Sequence, residues 1–301
     1  MKKQFYGVLI LIAAVLLCVS CNNNETAKTT DADSASAKTD SLSNVTSNWK
    51  LGVQLWTFRM FTITEALQKV DSCGVKYIEA FWGQALGGET KDTFNIRMTQ
   101  AGRDKLKELL KSHNIQMVAM GVISPGTKQE WIDAFKLAKE FNLSYITAEP
   151  KRTLWDFVDS LAGAYAIKIA IHDHPKPNAY SSPDSVLAAM QGHPNIGSCA
   201  DVGHWARNGL DPVECLKKLE GHIYGVHLKD IIIADSVSDK THARDTVVGK
   251  GVIKFAPIFA ELKRQNFAGM FSIEHESNWY HSVPDVIETV KLYNEEVSKL
   301  K

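Results

Sequence analysis

Ile196-Gly197-Ser198-Cys199-Ala200-Asp201-Val202-Gly203-His204 joins a short apolar run to a carboxylate and a histidine. The run is too short for a stable helix and reads as a buried strand with metal-type side chains at its end. The same arrangement recurs on both sides of it. Glu149 closes the run 145–148, His172 and His174 close 167–171, and His227 ends 223–226. Glu274 and Glu276 flank His275 after the run 270–273. Toward the N-terminus, 51–55 (followed by Trp56), 75–78 (ending at Glu79) and 115–120 read as three further strands. Helical patterns lie between most of them: 63–71 closed by Gly74, 104–113, a Trp131-Ala134-Phe135-Ala138 stripe, 212–219, 256–264 and 283–297. Strand–helix alternation of this kind predicts parallel strands with right-handed crossovers. The expected fold is a single α/β domain, a (β/α)₈ TIM barrel, in which all strand ends meet at one face.

The chain of 301 residues has 34 basic and 34 acidic side chains and no net charge. A nucleic-acid partner that depends on neutralised phosphates is therefore not expected. Lys2 and Lys3 precede an apolar stretch over 5–17, too short to span a membrane as a helix. Val19-Ser20-Cys21 then resembles a bacterial lipobox, with Cys21 as the acylated residue; bulky Leu17 makes Cys18 the poorer choice. Residues 1–21 are expected to be a lipoprotein signal and 22–48 a flexible polar tether, leaving 49–301 as the barrel. The expected location is the bacterial cell envelope, with the chain lipid-anchored at the outer membrane or periplasmic face. Cys73, Cys199 and Cys215 form neither a disulfide framework nor a spaced zinc motif.

Several strand-end residues carry chemistry. Asp201 is the expected metal ligand, with His204 beside it among the catalytic groups and Gly203 allowing a sharp turn. His227 is a ligand candidate, against the alternative of a satisfied core histidine. Lys229 would bind a substrate hydroxyl or stabilise an oxyanion, or else pair with Asp230 or another acid. Glu274 is preferred to Glu276 as ligand and proton carrier because it lies nearer its strand. Glu79 reads as a pocket acid in contact with substrate, with a rim salt bridge as the alternative. The long segment 231–248 is a candidate lid, and Gly249-Lys250-Gly251 a turn into the next helix.

At these residues the chain resembles the xylose isomerase-like barrel superfamily, which includes sugar isomerases and epimerases, inosose dehydratases, endonuclease IV and metal-dependent deglycosidases. The resemblance rests on Gly52-Val53-Gln54-Leu55, Asp201-Val202-Gly203-His204, His227-Leu228-Lys229-Asp230 and Glu274. It implies a Glu, Asp, His, Glu metal set at the ends of strands 5 to 8, of which Asp201, His227 and Glu274 match the last three. The first position departs from the pattern: His172-Asp173-His174-Pro175 stands where a glutamate is usual. The fourth ligand is thus either His172 or Glu149. The additional histidines of the endonuclease branch are absent, which argues against DNA repair.

The resemblance implies a sugar isomerase or epimerase holding one divalent ion, Mn²⁺ first and Mg²⁺, Co²⁺ or Zn²⁺ as alternatives. A carboxylate, Glu274 or Glu149, would remove the proton next to a carbonyl to give an ion-stabilised enediolate, with Lys229 and His204 assisting. Trp56, Glu79, His174 and Lys229 would contact a small neutral sugar or keto-sugar. The alternative is a lyase that releases the aglycone of a 3-keto-glycoside by β-elimination. A third reading is a non-catalytic sugar-binding lipoprotein, and a homo-oligomer is left open.

Overall fold

The computed structural model describes residues 45–233 and 243–300. The expected signal and most of the tether, Cys21 included, lie outside the described residues. At the tether's end, Thr46–Asn48 form a 3₁₀ turn and Val45 packs against the core, so the barrel domain includes residues ahead of the expected 49.

Eight parallel strands close into a barrel: β1 (Lys50–Gln54), β2 (Tyr77–Phe81), β3 (Gln116–Ile123), β4 (Tyr145–Ala148), β5 (Lys168–His172), β6 (Ile196–Asp201), β7 (Ile223–Leu228) and β10 (Met270–Ile273). Two short strands, β8 (Asp230–Ile232) and β9 (Arg244–Thr246), form an antiparallel hairpin beside the barrel mouth. The helices α1 (Ile63–Ser72), α2 (Gln100–Ser112), α3 (Lys128–Glu140), α4 (Trp155–Tyr165), α5 (Pro183–Met190), α6 (Val202–Arg207), α7 (Pro212–Lys218), α8 (Phe255–Arg264) and α9 (Val283–Ser298) follow in chain order. This is the TIM barrel expected from the strand–helix alternation.

Local chemistry sets several of these boundaries. Thr62 and Thr127 open α1 and α3 with capping boxes, their hydroxyls accepting from the amides of Glu65 and Glu130. Gly74, at φ +74°, ends the turn after α1. The α3 stripe of Trp131, Ala134, Phe135 and Ala138 is fully buried. Each large side chain buried in this way stabilises the fold by about 1.5–3 kcal/mol. Among the described residues no helix is long and apolar enough to cross a membrane.

Three expectations change here. Strand β2 starts later than expected, at Tyr77, which puts Glu79 at mid-strand rather than at the rim. Gly203 does not make a sharp turn but lies in α6, whose N-cap is Asp201. The base of segment 231–248 is the β8–β9 hairpin rather than a plain loop.

Candidate metal centre

The closed barrel brings the predicted ligands together through register. Asp201 and His227 are Cα partners on β6 and β7, and Ser272 faces His227 across β7 and β10, which places Glu274 one layer higher on the same inward face. His172 ends β5 opposite Cys199, two residues before Asp201. One ligand atom from each of His172, Asp201, His227 and Glu274 falls within 4.8 Å of the others, and all four residues are buried. Of the two candidates for the fourth position, His172 and not Glu149 stands within reach of the other three. Glu149 instead contacts His174 and accepts from Asn178 Nδ2 at 3.0 Å.

The donor set fits a divalent ion. His172 Nε2 lies 3.2 Å from His227 Nδ1, and that nitrogen lies 2.8 Å from Glu274 Oε2. Asp201 Oδ2 is buried with no hydrogen-bond partner, 3.5 Å from His172 Nε2 and 3.9 Å from His227 Nδ1. The Lys229 ammonium, 3.5 Å from that oxygen, offsets part of its charge, and the convergence of all four ligand atoms within 4.8 Å is what points to a shared ion. Two imidazoles and two carboxylates suit a transition-type divalent ion.

A supporting layer fixes the ligands. Glu79 is fully buried and accepts from His227 Nε2 at 2.9 Å and from Ser272 Oγ at 2.9 Å. It does not face the cavity, contrary to the substrate contact expected of it. It sets the tautomer of His227, leaving Nδ1 free to ligate. Asp173 Oδ1 accepts from the Asp201 amide at 3.0 Å. Sequence reasoning missed this role. Its signal was the alternation within His172-Asp173-His174, which turns the middle side chain away from its neighbours.

Lys229 is also buried, 3.5 Å from Asp201 Oδ2, 3.3 Å from Glu274 Oε2 and in contact with Glu276. It pairs with these acids rather than with Asp230, and it does not line the cavity, so the direct substrate contact expected of it is not found. Its close approach depends on Gly203, where a Cβ would stand 2.5 Å from Lys229 Cγ. Asp230 accepts instead from the amides of Ile231, Gly249, Gly251 and Ile253, pinning the base of the hairpin.

Charge state follows from these neighbours. Burial pushes Asp201 toward neutrality, but His204, Lys229 and His172 hold it well below the ordinary carboxylate range. Burial opposes ionisation of Glu274 too, and Lys229 and His227 hold it far below its usual value. Burial keeps His204 neutral well below its usual range. Asp173 is raised well above its usual value by burial and the adjacent Asp201 charge.

Above the ligands opens a cavity of about 390 Å³ lined by Trp56, Phe81, His174, His204, Arg207, Asp245, Glu274 and Glu276, with Gln54 and the Gly121-Val122 backbone. Trp56, His174 and His204 thus face it as the sequence suggested. Phe81, Arg207 and Asp245 carried no sequence signal, since none follows a strand in a recognisable motif. Trp56 and Phe81 pack edge to face at 4.6 Å, and Trp56 Nε1 donates to Glu276 Oε2 at 3.0 Å. Arg207 Nη2 pairs with Asp245 Oδ2 at 2.7 Å, joining α6 to the hairpin.

The profile of the xylose isomerase-like TIM barrel family matches residues 67–301. The chain belongs to this family. A solved protein of Parabacteroides distasonis is 33% identical, with a TM-score of 0.67 over 82% of this chain and 99% of that one. The zinc-bound IOLI protein shares the fold at 20% identity and a TM-score of 0.66, covering 84% of this chain and 99% of that one. Inosose dehydratase of Clostridium botulinum is 32% identical over 129 residues, 39% of this chain and 43% of that enzyme. The chain thus matches less than half the length of that curated relative.

Proposed function

We propose that this family member is a metal-dependent enzyme that removes the proton beside a carbonyl of a small polyhydroxylated substrate. The observation that carries the proposal is the convergence of His172, Asp201, His227 and Glu274 at the floor of the cavity. A divalent ion held there would supply a Lewis acid that polarises the carbonyl and acidifies the neighbouring C–H.

The residues of the chain would do the rest. Glu274, held deep in its ionised state by Lys229 and His227, is a ligand and a poor base. Among the titratable groups that face the cavity, His174, braced by Glu149, and Glu276 are the proposed proton carriers, with neutral His204 beside them. The Trp56–Phe81 wall offers an apolar face to a sugar or cyclitol ring, and Arg207 offers donors to its hydroxyls.

Elimination is the favoured outcome, which makes the enzyme a lyase of the dehydratase type. It is supported by the relatives named inosose dehydratase and by imidazole at the β5 position, where a two-carboxylate shuttle would need an acid. Isomerisation or epimerisation is the second reading, since His174 and Glu276 approach from the β5 and β10 sides and could serve opposite faces of a carbanion. Incubation of an inosose, 3-keto-glycosides and free ketoses with Mn²⁺-loaded protein, read by NMR, separates these outcomes. Loss of water or aglycone supports the lyase, exchange among sugars supports the isomerase, and tight binding without turnover or metal supports a sugar-binding protein. The proposal includes the Cys21 anchor and envelope location, which rest on the sequence of residues 1–21. Palmitate labelling that persists in Cys21→Ser overturns the anchor.

A further inference from the structure

We propose that the ends of β4 and β5 form a second cation site, made of Glu149, His174 and the outer nitrogen of His172. The inference rests on the four-ligand centre of the proposed function, because the two sites share the His172 ring. One ligand atom from each of Glu149, His172 and His174 lies within 4.8 Å of the other two. His172 turns Nε2 toward His227 and Asp201, and Nδ1 toward His174 Nδ1 at 3.4 Å. The ring therefore stands between two donor groups.

The hydrogen bonds of the outer group compete once the inner centre is filled. If Nε2 of His172 gives its lone pair to the inner centre, the neutral ring carries its hydrogen on Nδ1. That hydrogen points at His174 Nδ1, which also faces Glu149. A single Nδ1 cannot accept from His172 and donate to Glu149 together. A cation at the meeting point resolves the conflict, taking lone pairs from Glu149 and His174; His172 joins as a bridging imidazolate only when its Nδ1 proton is released to solvent water.

The surroundings are those of a ligand site. Asn178 Nδ2 holds the far oxygen of Glu149 at 3.0 Å, and Asn178 is itself fixed by the Tyr180 amide at 2.7 Å. This is the support that ligating carboxylates usually have. The side chains of His174 and Glu149 remain 39% and 17% exposed, and His174 lines the cavity, so water or substrate oxygen can complete the coordination. The other donor group, Glu79, Cys199 and His227, lacks such access, all three residues being buried. The outer site would take a divalent transition ion such as Mn²⁺ or Zn²⁺ and place it beside bound substrate, and with that ion bound Glu276 rather than His174 carries the proton.

The test is metal content by elemental analysis after loading the full chain with Mn²⁺ and removing excess. Wild type should hold two ions, while His174→Ala and Glu149→Gln each hold one and, stripped of metal, melt like metal-free wild type. Asp201→Asn should lose the inner ion and keep the outer one. The EPR signal of doubly loaded wild type should show coupled ions and revert in His174→Ala to that of an isolated ion. A single ion in wild type that survives His174→Ala overturns the second site and leaves the proposed function intact. Full metal content in Asp201→Asn instead overturns the inner centre. Should His174→Ala misfold, an uncoupled EPR signal from wild type alone overturns the proposal.

Discussion

Glu79→Gln separates the buried role of Glu79 from the pocket role that its sequence position suggested. The carboxylate accepts from His227 and Ser272 with the same oxygen, while Oε1 is buried without a partner. Glutamine keeps the shape but loses the charge that makes His227 a stronger ligand; its carbonyl must keep the His227 and Ser272 bonds while the new N–H₂ turns to the Thr147 side. Partners of this kind are worth about 10–100-fold in metal affinity, or about 1.4–2.8 kcal/mol. If the Thr147 hydroxyl does not take up that amide, the stability cost is about 1–3 kcal/mol. Competition against a chelator of known affinity measures the first effect, and urea denaturation of the metal-free protein the second. Metal affinity within about twofold of wild type, with substrate KM raised instead, would return Glu79 to the pocket.

Chelation should lower thermal stability. An ion at about 100 times its Kd contributes about 2.7 kcal/mol, or roughly 5–11 °C in a domain of this size, and an unchanged melt on adding EDTA contradicts it. Metal-free protein should weaken in acid. Glu79, Asp201 and Glu274 have folded values below their ordinary 4.5, 3.8 and 4.5, so the stability they give is complete above those values and lost as pH falls through the folded ones. His172 and His204, depressed below 6.5, act in the same direction, whereas Asp173 opposes them. The urea midpoint should therefore drop steadily from pH 6.5 to about pH 3, and a flat profile counts against the charge assignments. Gly203→Ala should push Lys229 away from Asp201 and slow turnover on the 10–100-fold scale of a roughly 1 Å misplacement; wild-type rates in a folded variant would show that Lys229 is not poised through this contact.

The barrel was legible because its strands are short apolar runs ending in polar side chains, a pattern that needs no tertiary information. Asp201, His227 and Glu274 were legible for the same reason. The choice between His172 and Glu149 was not, because it depends on how far each strand reaches into the mouth. His172 is the last residue of β5 and turns inward, whereas Glu149 lies just beyond β4 and meets His174. Glu79 was misplaced by two residues of strand phase, enough to exchange a rim position for a buried one. The hidden role of Gly203 is steric, and nothing in Asp-Val-Gly-His announces a lysine stem packed against it. Arg207 and Asp245 meet only because α6 and the β8–β9 hairpin converge, 38 residues apart in the chain.

The four buried ligands are proposed to organise proton abstraction next to a carbonyl. Incubating inosose or keto-sugar substrates in D₂O with metal-loaded protein, and following each carbon-bound proton by NMR, tests it most directly. Deuterium should replace the proton at one carbon beside the carbonyl, or that proton should be lost in an elimination product. Either signal should vanish in Asp201→Asn and on chelation. Turnover with the proton retained, or exchange that persists in Asp201→Asn, would contradict the account.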